Sequence, residues 1–354
     1  MQLKALVKNL AKEKGISAQL VMQNYMLERL LERISLSRYR SNFILKGGYL
    51  IASIVGLDTR ATMDLDTTVK GFDLNLDTTR KVFTEICQIL VADDVSFEFL
   101  DCADIRETDD YPGIRVSLRA MYRTLSVPLK VDVTTGDRIT PAEIEYELPL
   151  LFDDRKICVL AYNLETILAE KIETILSRGV ANTRPRDFYD VYVLRVLRRK
   201  KYRPKILRQA VDATAKKRGS VAILSHYESI LQSIETDAQM NRFWLKYCED
   251  FPYAKGIAFA QVCASIREIC DELRSVANSR SAKSLCSRSI LLGAFDSGPG
   301  LSGTVFFYAE RMAILLGAWK HPFEFFGRGG LPLRASLLGR LASPCGVSRY
   351  PLVG

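Results

Sequence analysis

A glycine pair followed by two alternating aspartates constrains the fold of this chain more than any other feature. Lys46-Gly47-Gly48 follows the apolar run Phe43-Ile44-Leu45, and Asp64-Leu65-Asp66 comes soon afterwards. The apolar run predicts a strand, and the glycines predict a tight turn into a helix that ends near Gly56. Asp64 and Asp66 share one face of a second predicted strand, over 62–69, because strand side chains alternate with a period of two.

These two features suit a phosphorylated ligand and a metal ion. Backbone N–H groups at a glycine-rich helix start can approach an anion closely. Two carboxylates on one strand face repel each other unless a cation compensates them, and Mg²⁺ or Mn²⁺ prefers such oxygen ligands. Asp132, on the polar face of a later predicted strand, offers a third carboxylate. The structural alternatives are an ordinary tight turn and a solvated strand face.

The remaining patterns predict an α/β (α+β) fold whose second half is helical. The predicted helices cover 3–35 with a break at 14–17, 77–92, 163–178, 186–199 and most of 205–275. The other predicted strands cover 95–101, 114–122 and 125–133, the last two as an antiparallel hairpin, with a loop from there to the helix at 163. We predict a helical segment (1–40), an α/β core (41–160), a helical domain completing the site (161–275) and a tail (276–354) that is poorly ordered or foreign to the fold.

Composition excludes several classes of protein. The 354 residues are 48% hydrophobic and 26% charged, which is typical of a globular chain. Two histidines and eight scattered cysteines without a C-x-x-C spacing argue against a zinc site, a histidine-based nucleophile or a disulfide framework. The N-terminus lacks the apolar core of a signal peptide, and no apolar run is long enough to span a bilayer. We therefore expect a cytoplasmic protein without a membrane segment.

Lys171 is anomalous in the helix predicted over 163–178. It shares one helical face with Leu164, Leu168 and Ile175, and a lysine on an apolar stripe is costly to bury unless its ammonium meets an anion. A triphosphate or a catalytic acid would supply that anion; alternatively, the side chain extends along the edge of the core to water. Asp187 and Asp190 lie near the start of the next helix, where interaction with the helix dipole is a sufficient reason for both.

A basic segment suggests a polyanionic partner. Arg195 to Arg218 contains eleven Lys or Arg and one acid, in a chain with a net charge of +9. Such a segment can bind the phosphates of a nucleic acid, although charged helix faces are usually only solvated. We predict a nucleic-acid surface that includes six cations: Arg195, Arg198, Arg199, Lys200, Lys201 and Arg203.

Together, these residues resemble the AbiEii/AbiGii family of nucleotidyltransferase toxins, which share the DNA polymerase beta-type nucleotidyltransferase fold. The resemblance covers about residues 1–275. It is carried by five stretches: 45–50, 60–66, 130–136, 165–178 and 186–192. The family's pattern often has a serine where this chain has Gly48.

The resemblance implies a small mixed sheet and specific site residues. Gly47 and Gly48, with Lys46, would bind the nucleotide phosphates, and Arg60 would have either a structural or a nucleotide-contacting role. Asp64 and Asp66, with Asp132, would bind Mg²⁺ or Mn²⁺. Lys171 and Asp187 would complete the catalytic set with the two metal-binding aspartates.

The implied activity is transfer of a nucleoside monophosphate from a nucleoside triphosphate to an acceptor such as tRNA. Its implied setting is a bacterial toxin–antitoxin or abortive-infection (phage defence) system with an antitoxin encoded nearby. Two alternatives remain open from the residues alone. One is a small-molecule or protein acceptor, and the other is a non-catalytic module that binds GTP or nucleic acid.

Overall fold

The computed structural model describes residues 3–105, 113–198 and 201–293, the last sixteen as backbone only. The described residues through Ser287 belong to one compact unit. The predicted domain boundaries at 40 and 160 fall within this unit and stay predictions. The final helix extends to Gly293, beyond the predicted boundary at 275, and the rest of the predicted tail lies outside the described residues.

The first part of the unit alternates helices and strands. Its helices are α1 (Leu3–Lys14), α2 (Ala18–Leu36), α3 (Gly47–Val55) and α4 (Leu76–Cys87). Its strands are β1 (Phe43–Lys46), β2 (Leu65–Val69), β3 (Val95–Asp104), β4 (Gly113–Tyr122), β5 (Leu125–Thr135), β6 (Ile144–Pro149) and β7 (Lys156–Ala161). The remaining helices are α5 (Leu164–Arg178), α6 (Pro185–Arg198), α7 (Pro204–Lys217), α8 (Tyr227–Thr236), α9 (Ala238–Asp250) and α10 (Phe259–Gly293), with short 3₁₀ turns at Gly179–Ala181, Val221–Ser225 and Pro252–Ala254.

The strands form one seven-stranded mixed sheet in the order β3-β4-β5-β2-β1-β7-β6. β2 and β5 pair in parallel, as do β1 and β7, and the other neighbours are antiparallel. The two central strands, β1 and β2, are joined through α3, so the residues at the start of α3 lie at the middle of the sheet. A mixed sheet with a helical second half confirms the predicted fold class.

Local signals explain most element boundaries. Ser17 caps α2, because its hydroxyl accepts a hydrogen bond from the backbone N–H of Leu20 at 3.1 Å. Asn163 caps α5 in the same way through the N–H of Thr166, and α5 ends at Gly179 in a positive-φ conformation. In β4, Ile114, Val116, Leu118 and Ala120 are all buried, as their alternation predicts.

Three local predictions are wrong. The predicted loop before residue 163 contains β6 and β7, because β6 is an acidic edge strand and β7 is too short for its periodicity to be recognised. The helix predicted over 77–92 ends at Cys87. The strand predicted over 62–69 begins only at Leu65, which places Asp64 just before it.

Candidate active site

Four charged side chains form one row across the centre of the sheet. Lys46 on β1 is in register with Asp66 on β2, Asp66 with Asp132 on β5, and Asp132 with Arg115 on β4. Residues directly opposite each other on neighbouring strands project from the same face. The sheet therefore presents two carboxylates flanked by two cations.

The glycine turn lies against the first of these carboxylates. Gly47 has a φ of +66°, and a Cβ at this position would lie 2.0 Å from Asp66 Oδ2. The N–H of Gly48 points at the same oxygen, with an N to Oδ2 distance of 3.3 Å. A Cβ on Gly48 would lie 2.9 Å from Thr62 Oγ1 and 3.1 Å from Arg60 Nη2. The close approach of these side chains leaves little room for a side chain at Gly48.

The two aspartates of the Asp64-Leu65-Asp66 motif differ in environment. Asp64 is exposed, whereas Asp66 is half-buried beside the helix start. Burial raises the pKa of Asp66; Lys46 opposes this increase, and Asp132 adds to it. A divalent cation would favour the ionised carboxylate, so the electrostatics of this position suit a metal ligand.

Asp132 is held by a cation that the sequence analysis did not identify. Arg115 donates from Nε to Oδ1 at 2.7 Å and from Nη2 to Oδ2 at 2.8 Å. Within the described ranges, no group of three or more His, Cys, Asp or Glu is arranged to hold a metal ion. Mg²⁺ commonly binds one or two carboxylates together with water and substrate phosphates, and Asp64 and Asp66 provide two such carboxylates.

On the helical side of the site, Lys171 meets two carboxylates from α6. Its Nζ lies 2.5 Å from Asp187 Oδ1 and 3.0 Å from Asp190 Oδ2. Burial disfavours the ammonium ion, but Asp190 and Asp187 outweigh this effect and raise the pKa of Lys171. The protein itself therefore supplies the anions that were expected beside this half-buried lysine.

Asp190 also binds Arg60. The Nε of Arg60 lies 2.6 Å from Asp190 Oδ1, and both side chains are almost fully buried. Although burial works against the carboxylate, Arg60 and Lys171 lower the pKa of Asp190. Interaction with the helix dipole alone does not account for Asp190, so that interpretation is wrong. The lysine on an apolar stripe was the sequence signal for such a partner.

Lys46 is positioned by a half-buried acid, Asp137, that was not predicted. Its Nζ donates to Asp137 Oδ2 at 2.5 Å and to Thr134 Oγ1 at 2.7 Å. Tyr162 donates its hydroxyl to the same Asp137 oxygen at 2.8 Å. Burial disfavours the Asp137 carboxylate, but Lys46 and Tyr162 hold its pKa well below its ordinary value. Burial raises the pKa of the adjacent Glu170.

A cleft of about 670 Å³ joins these groups. This volume is within the range of about 300–1,000 Å³ typical of small-molecule sites. The nine residues predicted to contact phosphate or metal, or to take part in catalysis, all line it: Lys46, Gly47, Gly48, Arg60, Asp64, Asp66, Asp132, Lys171 and Asp187. Their convergence from both halves of the chain defines one candidate active site.

Fewer cations of the basic segment lie on the protein surface than its sequence indicates. Arg195 is buried, and its guanidinium contacts Glu272 at 2.7 Å and Glu268 at 3.2 Å, so its predicted surface position is wrong. Arg198 is half-buried and donates to the carbonyl of Ile54. Lys201 and Arg203 are exposed, and their contact with a nucleic acid stays a prediction. Arg199 and Lys200 lie outside the described residues.

The sequence model for the nucleotidyl transferase AbiEii toxin of type IV toxin–antitoxin systems matches residues 29–265. This chain belongs to that family. None of the described helices is long and apolar enough to cross a membrane.

Solved structures give further similarities. JHP933 from Helicobacter pylori has a TM-score of 0.42 and 16% identity, and the alignment covers 76% of this chain and 99% of that one. An antigenic nucleotidyltransferase-like protein from Paracoccidioides brasiliensis has a TM-score of 0.34 and 14% identity, over 55% of this chain and 90% of that one. No curated protein matches the chain by sequence.

Proposed function

We propose that the protein transfers a nucleoside monophosphate from a nucleoside triphosphate to an RNA acceptor in a metal-dependent reaction. The observation that carries this proposal is the contact of the glycine turn with Asp66. The turn offers backbone N–H groups that suit phosphates, and Asp66 offers a carboxylate that suits Mg²⁺. The two are within hydrogen-bond distance of each other, since Gly48 N lies 3.3 Å from Asp66 Oδ2. Few ligands other than a metal–polyphosphate complex require both.

Each part of the cleft has a task in this reaction. The N-terminus of α3 binds the phosphates, with Lys46 and Arg60 close to the turn. Asp64 and Asp66 would hold Mg²⁺ or Mn²⁺, which when bound neutralises charge on the phosphates and the leaving group. A bond forms between the acceptor oxygen and the α-phosphorus, the bond to the β-phosphate oxygen breaks, and pyrophosphate leaves. Catalysis depends mostly on positioning and charge stabilisation.

Lys171 and Asp187 act from the opposite side. Lys171 is 21% exposed and faces the cleft, so it can donate to a triphosphate while Asp187 and Asp190 hold it in place. Asp187 orients this lysine and assists loss of the proton from the acceptor hydroxyl. Asp190 is fully buried and positions Arg60 and Lys171 without reaching the cleft.

Exposed cations in the second half of the chain support the proposal of an RNA acceptor. Lys201, Arg203, Lys205 and Lys216 are exposed on and before α7. The C-terminal end of α7 approaches the cleft, since Lys217 Nζ lies 3.3 Å from Asp137 Oδ1. An RNA bound along α7 would have one end near Lys217, which shares Asp137 with the cleft residue Lys46.

The family supports a biological role as well. We propose that the protein is the toxin of a toxin–antitoxin pair that acts in phage defence, and that its antitoxin is encoded nearby. Expression of the intact chain should then arrest growth, and Asp66→Asn should relieve the arrest at equal protein level. Equal arrest by the variant would contradict a toxic role for nucleotidyl transfer.

Transfer can be tested directly with purified protein. Incubation with each α-labelled nucleoside triphosphate, Mg²⁺ and total RNA should place label in RNA. Chelation by EDTA, or the substitution Asp64→Ala, should abolish labelling. If the label enters protein or a small molecule instead, that molecule and not RNA is the acceptor. No labelling with any triphosphate, together with identical behaviour of Asp64→Ala, would refute the catalytic proposal.

A further inference from the structure

The cleft has a second wall, formed by α9 and the residue after it. Phe243, Lys246, Tyr247 and Asp250 follow the i, i+3, i+4, i+7 spacing of one helical face, and all four line the cleft. Phe251 continues this wall. These residues lie outside the phosphate and metal side of the cleft, and none of them was identified in the sequence.

We propose that this face of α9 is the nucleobase site, in which the base stacks on Phe243 and its edge contacts Lys246 and Asp250. The inference rests on the proposed function, because it takes a nucleoside triphosphate as the ligand of the cleft. It adds the residues that bind the nucleoside end of that ligand.

The position of α9 relative to the glycine turn supports this assignment. The glycine turn, Arg60 and this face of α9 all line the same cleft of about 670 Å³. The Nη2 atom of Arg60 is 3.1 Å from the Cβ position of Gly48. A nucleoside whose phosphates lie at the turn can therefore extend within the cleft to α9.

The aromatic rings of this wall differ in their availability. The ring of Phe251 already has two partners. Its centroid lies 4.7 Å from that of Tyr247, and the guanidinium of Arg186 makes a cation–π contact with it at 5.2 Å. Phe243 is half-buried, and it has no ring or cation contact among the residues that the structure describes. Bases stack on such a ring whatever their identity, since each base has an aromatic face. Phe243 is therefore the ring available for a base.

The two charged residues beside Phe243 fit the polar edge of a base. Lys246 and Asp250 are exposed, and in the described part of the chain neither forms an ion pair or a side-chain hydrogen bond. An ammonium only donates hydrogen bonds and a carboxylate only accepts them. Together they would contact an acceptor and a donor on one edge of the base; since each of the four bases presents both but in a different order, the relative positions of the two side chains would set the preference among bases.

The test compares ligands with and without a base. Dissociation constants for ATP, GTP, CTP, UTP and inorganic tripolyphosphate are measured with Mg²⁺ for the full chain. Phe243→Ala should weaken nucleoside triphosphate binding by about 5- to 150-fold, as for loss of one base–aromatic stack, and change tripolyphosphate binding less than about twofold. Phe243→Tyr should restore affinity. Lys246→Ala and Asp250→Asn should change the ratios among the four nucleotides.

The control is Leu245→Ala on the same helix, since Leu245 is 61% exposed and does not line the cleft. It should leave all five dissociation constants unchanged. If Phe243→Ala binds nucleotides as well as the parent does, or loses tripolyphosphate equally, the α9 site is wrong while the proposed function stands. If the parent binds neither nucleotides nor tripolyphosphate, the proposed function fails, and this inference fails with it.

Discussion

Removal of the Asp190 carboxylate should strongly lower the free energy of unfolding, although Asp190 does not line the cleft. Asp190 is fully buried and contacts Arg60 Nε at 2.6 Å and Lys171 Nζ at 3.0 Å. In Asp190→Asn, Arg60 keeps the carbonyl of Ala61 as a partner, and Lys171 keeps Asp187. The buried Arg60 and the half-buried Lys171 then have one carboxylate fewer between them. Breaking a buried pair from one side costs about 3–5 kcal/mol, which is the expected loss in the free energy of unfolding.

Asp187 provides the matched comparison, because it lies three residues earlier on the same helix. It lines the cleft and contacts Lys171, but the described structure shows no contact of it with Arg60. Asp187→Asn should lose only about 1.5–3 kcal/mol, as for one hydrogen bond to a charged group, while its transfer activity disappears. Urea denaturation followed by circular dichroism measures both variants.

A double-mutant cycle isolates the buried pair. Arg60→Met with Asp190→Asn should be little worse than the more damaging single variant, because both changes remove the same interaction. Losses that simply add, or a loss below about 1 kcal/mol for Asp190→Asn alone, would refute the argument. Since Arg60 and Lys171 lower the pKa of Asp190, its stabilising contribution should be present above about pH 4 and decline as the pH falls below it.

Three further predictions concern the cleft and its surface. Gly47→Ala should reduce transfer by about 100-fold, because the added Cβ would lie only 2.0 Å from Asp66 Oδ2 and would displace that carboxylate; normal kinetics would contradict the geometry. Arg115→Met removes the cation paired with Asp132, so half-maximal transfer should need about fivefold less Mg²⁺; an unchanged titration would show that Asp132 does not affect the metal. RNA binding in gel-shift assays should weaken steeply with added salt; salt-independent binding would argue against a phosphate-binding surface.

Much of the site follows from short-range patterns. Asp66 and Gly47 are close in sequence, and a strand, a turn and a short helix return the chain so that they meet across β1 and β2. The anomaly of Lys171 likewise depends on one helical face alone. Such features can be predicted because their geometry is set by local periodicity.

The parts that were missed have different causes. Arg115 faces Asp132 in the β4–β5 hairpin, and the predicted hairpin with its two-residue connection already implies this register, but the pair was not drawn from it. Arg195 lies in a basic segment, yet its acidic partners are on α10, more than 70 residues later. The edge strand β6 has too little apolar alternation to be told from a loop. Of these cases, only the burial of Arg195 was decided by a tertiary contact between distant segments.

The most direct test of the central claim follows the fate of individual phosphates. Parallel reactions contain protein, Mg²⁺, total RNA and a triphosphate labelled at either the α- or the γ-phosphorus. Transfer of a nucleoside monophosphate predicts that label enters RNA only from the α position and that pyrophosphate carries the γ label, with neither product formed by Asp66→Asn. Label entering RNA from the γ position, or equal products from the variant, would contradict the account.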